Sequence, residues 1–249
     1  MSDNTVSSLS ALTHEYRTIA HNLANANTVG FKRRISVFTE GEPTGAAPAS
    51  GPAAPPAGAA KGRAGRIRGK AFVDFSQGRV IETRRPLDVS LHGKGFFVVE
   101  TDKGERYTRN GVLRLNGQRQ LVDAKGRTVA GEGGPITVPP NVSPVAVEIA
   151  QDGRISAGEV NIGKLRIVEF EDPKTLTPVG DCTFRASKRA KPAPVTNTTV
   201  QQGFQEASNV SPVNELVALI KVTRLYEANV KIIQAKGDRG KDLMRVAMA

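Results

Sequence analysis

Residues 9–23 read Leu-Ser-Ala-Leu-Thr-His-Glu-Tyr-Arg-Thr-Ile-Ala-His-Asn-Leu. Within them Leu9, Leu12, Tyr16, Ile19 and Leu23 recur at steps of three, four, three and four. That spacing puts five side chains on one stripe of a helix, as in the seam of a coiled coil. The other end of the chain repeats it with Leu216, Leu219, Thr223, Tyr226, Val230 and Ile233. Ser211-Pro212 marks the start of this second helix, because a serine hydroxyl accepts from an early orphan N–H and proline loses nothing at the first helical position. The first helix is expected to close near 27–30, where Asn27 and Gly30 tolerate a left-handed turn.

Between the two stripes the period changes to two. Leu87, Val89 and Leu91 alternate, and Gly93-Lys94-Gly95 turns the chain into Phe96-Phe97-Val98-Val99. Asn116-Gly117 separates Leu113 and Leu115 from Leu121 and Val122, and Asp152-Gly153 separates Val145, Val147 and Ile149 from Ile155. Such dipeptides supply the positive φ angles of tight hairpins. Leu165, Ile167 and Val168 give a further strand. No helix-length segment intervenes, so the strands are expected to be short and antiparallel.

The sequence thus predicts an α+β chain in five parts: an N-terminal helix and turn (1–40), a Gly/Ala/Pro-rich linker (41–69), a central all-β domain (70–187), a return linker (188–204) and a C-terminal helix (205–249). A short isolated helix is marginal in water, so each terminal stripe needs a partner. The nearest is the other stripe, giving a coiled-coil-like pair. Val213, Val217, Ile220 and Ile232 lie off the second seam and would still seek contacts. Two organisations follow: a terminal bundle completed by neighbouring subunits through unlike patches, or a two-helix cap packed on the β domain. Gly237 and Gly240 fall on the seam, each costing about 1 kcal/mol relative to alanine, so the helix is expected to be interrupted after Ala235 before assembly.

Composition removes several classes. The 249 residues carry 35 Lys and Arg against 24 Asp and Glu, a net charge of +11 that favours acidic partners. The basic residues cluster at Lys32-Arg33-Arg34, at 61–70, and at Arg185, Lys188, Arg189 and Lys191, and solvated charge on flexible segments is the simplest account of them. No window approaches the ~20 apolar residues of a spanning helix. Cys182 is the sole cysteine, which excludes an intrachain disulfide. The start of the chain has neither the basic nor the apolar region of a cleaved secretory signal.

Asn22-Leu-Ala-Asn-Ala-Asn-Thr-Val-Gly-Phe-Lys32, directly after a heptad helix, resembles the N-terminal signature of the flagellar rod, hook and hook-associated axial proteins. The resemblance continues through Asp74-Phe-Ser-Gln-Gly78, Pro86-Leu-Asp-Val-Ser-Leu-His-Gly-Lys-Gly-Phe-Phe97 and Arg106-Tyr-Thr-Arg-Asn-Gly111. It resumes at Glu206-Ala-Ser-Asn-Val-Ser-Pro-Val213 and Arg224-Leu-Tyr-Glu-Ala-Asn229, in family order. Within the family, Gly133-Gly-Pro-Ile136 and Ile149-Ala-Gln-Asp-Gly153 look most like the proximal-rod branch, with the distal-rod branch next. The resemblance implies terminal helices packed as the inner tube of an axial filament, with the β domain outside. It also implies passage through the flagellar type III export apparatus without a cleaved signal peptide, and assembly in the periplasmic basal body with copies of itself and other rod and hook proteins. On that reading the stripe residues are subunit contacts, and Asn22, Asn25 and Asn27 either close the helix or bond between subunits beside the small Ala24 and Ala26. Gly30 makes the exit turn, Phe31 anchors it, and Asn209 and Ser211 play the mirror role at the returning helix.

Motifs of catalysis are missing from the sequence: it has no phosphate-cradling loop and no His-Glu-x-x-His pair. His14 and His21 lie seven apart on the face opposite the seam with no close third ligand. Cys182 has no histidine near it, and His92 reads as a turn residue. Neither a cofactor nor an enzymatic activity is expected. The rival reading is a nucleic-acid or anionic-surface binder using 61–70, but no aromatics interleave there for base stacking, so no nucleic acid is expected.

Overall fold

The computed structural model describes residues 2–40, 67–187 and 190–248. The linker expected at 41–69 therefore lies largely outside the described residues, as do positions 61–66 of the basic segment and the pair 188–189. The chain divides into two compact units, one of residues 1–23, 34–72 and 212–249, the other of 24–33 and 73–211.

In the first unit α1 (Ser2–Ala24) ends about three residues earlier than expected, in turns that lead to Gly30. Residues expected to form an irregular exit instead make a strand, β1 (Arg34–Glu40), paired with β2 (Ile67–Val73) in a two-stranded ribbon. The Arg-Ile-Ser-Val-Phe-Thr-Glu stretch has the alternation and β-branching of a strand with one covered face. Ser36 and Phe38 turn toward α1, where the Ser36 hydroxyl donates to Thr18 Oγ1 (2.9 Å) and the Phe38 ring meets His14 edge-on at 6.3 Å. Ile35 and Val37 face outward. The histidine face of α1 is thus the floor of a β-ribbon. The last element is α2 (Pro212–Ala247), which starts directly after Ser211 and runs through Gly237 and Gly240 as one helix.

The second unit holds β3 (Val80–Glu82), β4 (Val89–His92), β5 (Phe96–Thr101), β6 (Gly104–Thr108), β7 (Leu113–Leu115) and β8 (Leu121–Asp123). Then come β9 (Ala130–Gly131), β10 (Gly134–Pro135), β11 (Glu148–Ile149), β12 (Arg154–Ala157), β13 (Val160–Lys164) and β14 (Ile167–Val168). The series ends with β15 (Leu176–Gly180), β16 (Thr183–Ala186), β17 (Thr199–Gln202) and β18 (Phe204–Glu206). Its largest sheet has the order β14-β5-β6-β16-β15, antiparallel throughout. Both expected hairpins form, with Leu115 opposite Leu121 across Asn116-Gly117 and Ile149 opposite Ile155 across Asp152-Gly153. His92 ends β4 opposite Thr199 rather than sitting in a turn.

The unbroken Phe96-Phe97-Val98-Val99 run is explained by burial on both faces of β5. Phe97 and Val99 join a core with Val89, Leu91, Leu113, Leu121 and Ile155, while Phe96 and Val98 join a second with Tyr107, Phe170 and Phe184. Residues 199–206, expected to be return linker and helix start, are strands: Val200 pairs with Leu91 and is buried in the first core, and Glu206 pairs with Val80. Their Thr-Val-Gln-Gln alternation was hidden by the prolines just before it.

Candidate assembly surface

The inward face of α2 is set by Glu215 and Val222, both buried, with Ala218 and Leu219 half-buried between them. This is one position away from the heptad reading. Of the residues in that reading, Leu219 and Val230 are half-buried, whereas Leu216, Thr223, Tyr226 and Ile233 are exposed. Leu9, Leu12 and Leu23 of α1 are half-buried, Ile19 is buried and Tyr16 is exposed. The facing parts of the helices leave an apolar groove of ≈ 270 Å³ lined by Thr13, Tyr16, Val222, Thr223 and Tyr226. Opposite Glu215, the contact is polar: the Asn22 amide donates to Glu215 Oε2 at 3.3 Å.

Outside that face α2 presents bare apolar side chains. Val213 (71% exposed), Leu216, Val217 and Ile220 (49%) follow the i, i+3, i+4, i+7 pattern of one stripe. Leu225, Ile232 and Ile233 are exposed further along, and every described side chain from Lys231 to Arg239 is exposed. Isolated exposed apolar residues are ordinary, whereas a contiguous stripe makes this face of α2 a candidate interaction surface.

The signature residues hold the chain locally. Asn22 is buried, its Oδ1 accepting from Arg34 N–H (2.9 Å) and its Nδ2 donating to Arg34 C=O (2.8 Å) as well as to Glu215. Its amide is therefore engaged inside the chain. Asn25 C=O accepts from Thr28 N–H in the turn after α1, and Asn27 is exposed. Gly30 adopts φ +69° and donates to Glu206 C=O (2.8 Å). A Cβ there would stand 2.5 Å from Asn110 N, so only glycine fits both the angle and the approach. Phe31 is buried behind it. Between β18 and α2, Asn209 Oδ1 accepts from Arg33 N–H (2.7 Å), and its Nδ2 donates to Asp74 C=O (3.0 Å) and Ser76 Oγ (3.0 Å). Ser211 is exposed just before α2.

A buried charge cluster escaped the sequence reading. Lys32, assigned there to a solvated basic run, is completely buried: its Nζ reaches Glu206 Oε1 and donates to Ser76 C=O at 2.7 Å. Glu206 Oε1 also accepts from Gly78 N–H (2.9 Å), and Arg109 Nη1 stands 3.6 Å from Glu206 Oε2. The Arg109 guanidinium donates to Gly93 C=O (2.6 Å) and lies over the Phe96 ring at 4.9 Å. Burial pulls the Lys32 ammonium below its ordinary range, Glu206 pulls it back, and Arg109 adds to the lowering. Arg109 is also lowered by burial. Periodicity carries no trace of such a pairing, because its members are 174 and 97 residues apart and each is a single charge among others.

Three family models match the chain: the flagella basal body rod protein over residues 3–32, the FlgE/F/G hook protein D1 domain over 90–157, and the FlgEFG basal body rod protein C-terminal region over 201–245. Over 225 residues the chain is 36% identical to the flagellar basal-body rod protein FlgF of Caulobacter vibrioides, covering 89% of this chain and 87% of that one. It is 32% identical over 229 residues to FlgF of Salmonella typhimurium (86% and 84% covered). Its identity to the rod protein FlgG of Caulobacter vibrioides is also 32%, over 232 residues (86% and 87% covered). The chain belongs to the flagellar basal-body rod family. Lys32, Arg109 and Glu206 come one from each of the three matched segments, so the charge cluster is where these separate blocks of a rod protein meet.

Rod proteins are structural, and this chain is not an enzyme. Among the described residues no group of three or more His, Cys, Asp or Glu side chains is placed to hold a metal ion. Among the described residues no helix is long and apolar enough to cross a membrane. The described part of the basic segment ends in Lys70, whose ammonium lies over the Phe72 ring at 5.1 Å. Nothing in the family relationship supports a nucleic-acid role.

Proposed function

We propose that this structural component of the flagellar basal-body rod assembles through α1 and α2, with neighbouring rod and hook proteins and copies of itself covering the bare stripe of α2. The observation that carries this reading is the exposure of Val213, Leu216, Val217 and Ile220 on an ordered helix whose inward face is already occupied by Glu215 and Val222. Fully burying an exposed side chain of that size contributes about 1.5–3 kcal/mol, and these four, 46–71% exposed, retain about half or more of that for lateral association. Leu9, Leu12, Tyr16, Ile19 and Leu23 of α1, with Leu219, Tyr226, Val230 and Ile233 of α2, complete the contact set in a coiled-coil-like bundle. Asn25, Asn27, Gly30, Phe31, Asn209 and Ser211 shape the chain at its two ends. The proposal includes a proximal position in the rod, on the resemblance of 133–136 and 149–153, and export by the flagellar type III apparatus to the periplasm without a cleaved signal.

Aspartate at Val217 and Ile220 tests the assembly surface. Both side chains face solvent in the free chain, so its melting temperature is expected to hold while motility and rod formation in isolated basal bodies are lost. Normal basal bodies from cells carrying Asp at Val213, Leu216, Val217 and Ile220 together would refute the proposal.

A further inference from the structure

The segment from Asn25 to Arg33 is the covalent link between α1 and β1, and it lies within the β-rich unit as a strap without regular structure. Its attachments include Gly30 N–H on Glu206 C=O, Phe31 in the interior, Lys32 on Glu206 Oε1 and Ser76 C=O, Arg33 N–H on Asn209 Oδ1, and Arg33 C=O, which accepts from Asp74 N–H at 2.8 Å. The charges beneath it are uneven. Glu206 and Arg109 belong to the β-rich unit whether or not the strap is seated, and together they are neutral. Seating the strap adds the Lys32 cation to a fully buried place, beside a second cation, with Glu206 in direct contact with it and Asp74 adding attraction.

We propose that Lys32 and Glu206 are positioning residues which seat the Asn25–Arg33 strap in a fixed register, and that Glu206 holds two buried cations so that the strap leaves when it is neutralised while the β-rich unit stays folded. Arg109 cannot leave, because Gly93 C=O and the Phe96 ring hold its guanidinium and Glu169 adds attraction. Lys32 can, since it rides on a strap with no strand pairing of its own. A buried charge that loses its counterion is strongly destabilising, whereas replacing both members of a pair by apolar groups is often neutral. Removing both members should therefore cost less than removing Glu206 alone, an order that simple loss of contacts does not give.

Limited trypsin digestion of the full-length chain reads this out, with cleavage after Arg33 and Arg34 followed by mass spectrometry. Cleavage after Arg114, an exposed residue of β7, serves as an internal gauge of the β-rich unit. Glu206→Gln is expected to raise cleavage at Arg33 and Arg34 by about tenfold or more, with Arg114 unchanged. Adding Lys32→Met to that variant is expected to restore protection to within about threefold of wild type, because the surplus cation is gone. Unchanged cleavage in Glu206→Gln would overturn the proposal. A parallel rise at Arg114 would overturn it too, by making the pair an ordinary part of the fold. So would failure of Lys32→Met to restore protection.

Discussion

Asn22 offers the sharpest measurement of how the first unit is held. Its side chain is 1% exposed and satisfies three groups: Arg34 N–H, Arg34 C=O and one oxygen of Glu215. In Asn22→Ala all three lose that partner. A buried polar group left unsatisfied costs about 1–3 kcal/mol, and water reaching the shortened side chain recovers part of it. The net loss is expected to be about 3 kcal/mol, on the order of a hundredfold in the opening equilibrium. Hydrogen exchange at the Arg34 amide measures that opening directly, and urea unfolding followed by far-ultraviolet circular dichroism measures its share of the whole.

Asn22→Asp separates hydrogen bonding from packing. The carboxyl keeps the acceptor for Arg34 N–H but replaces the donor, and it stands against Arg34 C=O and a second carboxyl on Glu215. Ionisation of such a buried acid is disfavoured by burial and by its neighbour, so its pKa rises. At neutral pH this variant is expected to be at least as destabilised as Asn22→Ala. As pH falls through the raised pKa the neutral acid becomes a donor again, and stability recovers relative to the alanine variant. A loss below about 0.5 kcal/mol in Asn22→Ala, or neutral-pH stability of Asn22→Asp equal to wild type, would refute the reasoning.

Two further outcomes follow from the same structure. Gly30→Ala combines a left-handed φ of +69° with a Cβ 2.5 Å from the Asn110 backbone nitrogen, so a loss of at least about 2 kcal/mol is expected in urea unfolding. The pKa of His21 is lowered from its ordinary 6.5 by burial first and by Arg34 second. The unfolded chain therefore binds a proton at His21 before the folded one does, and this residue costs stability as pH falls below that value. Comparing melts of wild type and His21→Gln at neutral and mildly acidic pH should show a smaller acid-side loss in the variant, and an equal loss would rule the effect out.

The residues that announced themselves in the sequence are those whose role is written in local spacing. Both terminal helices, the Asn116-Gly117 and Asp152-Gly153 hairpins, and the glycine at the exit turn follow from periods of 3.6 and 2 and from turn chemistry. What stayed hidden depends on long-range pairing. β17 was obscured by adjacent prolines, although its alternating Thr-Val-Gln-Gln becomes intelligible once it lies against β4. β1 was obscured by three consecutive basic residues, which suggested solvent when one of them, Lys32, is the most deeply buried cation of the cluster. A charge run reads as a surface because charge is expensive to bury, and that expectation fails where a distant carboxylate is waiting.

The one-position offset on α2 has the same origin and a functional consequence. Heptad spacing identified a stripe through Leu216, Thr223 and Tyr226, whereas the folded chain turns Glu215 and Val222 inward. A glutamate on the inward face is unfavourable unless it is paired, and the Asn22 amide meets it. Choosing the face that carries Glu215 leaves Val213, Leu216, Val217 and Ile220 46–71% exposed. A monomer selected only for its own stability would bury the leucine-rich face and expose the glutamate. The opposite choice, which carries a polar contact between the two helices, leaves the apolar stripe of α2 exposed, as the proposed assembly requires.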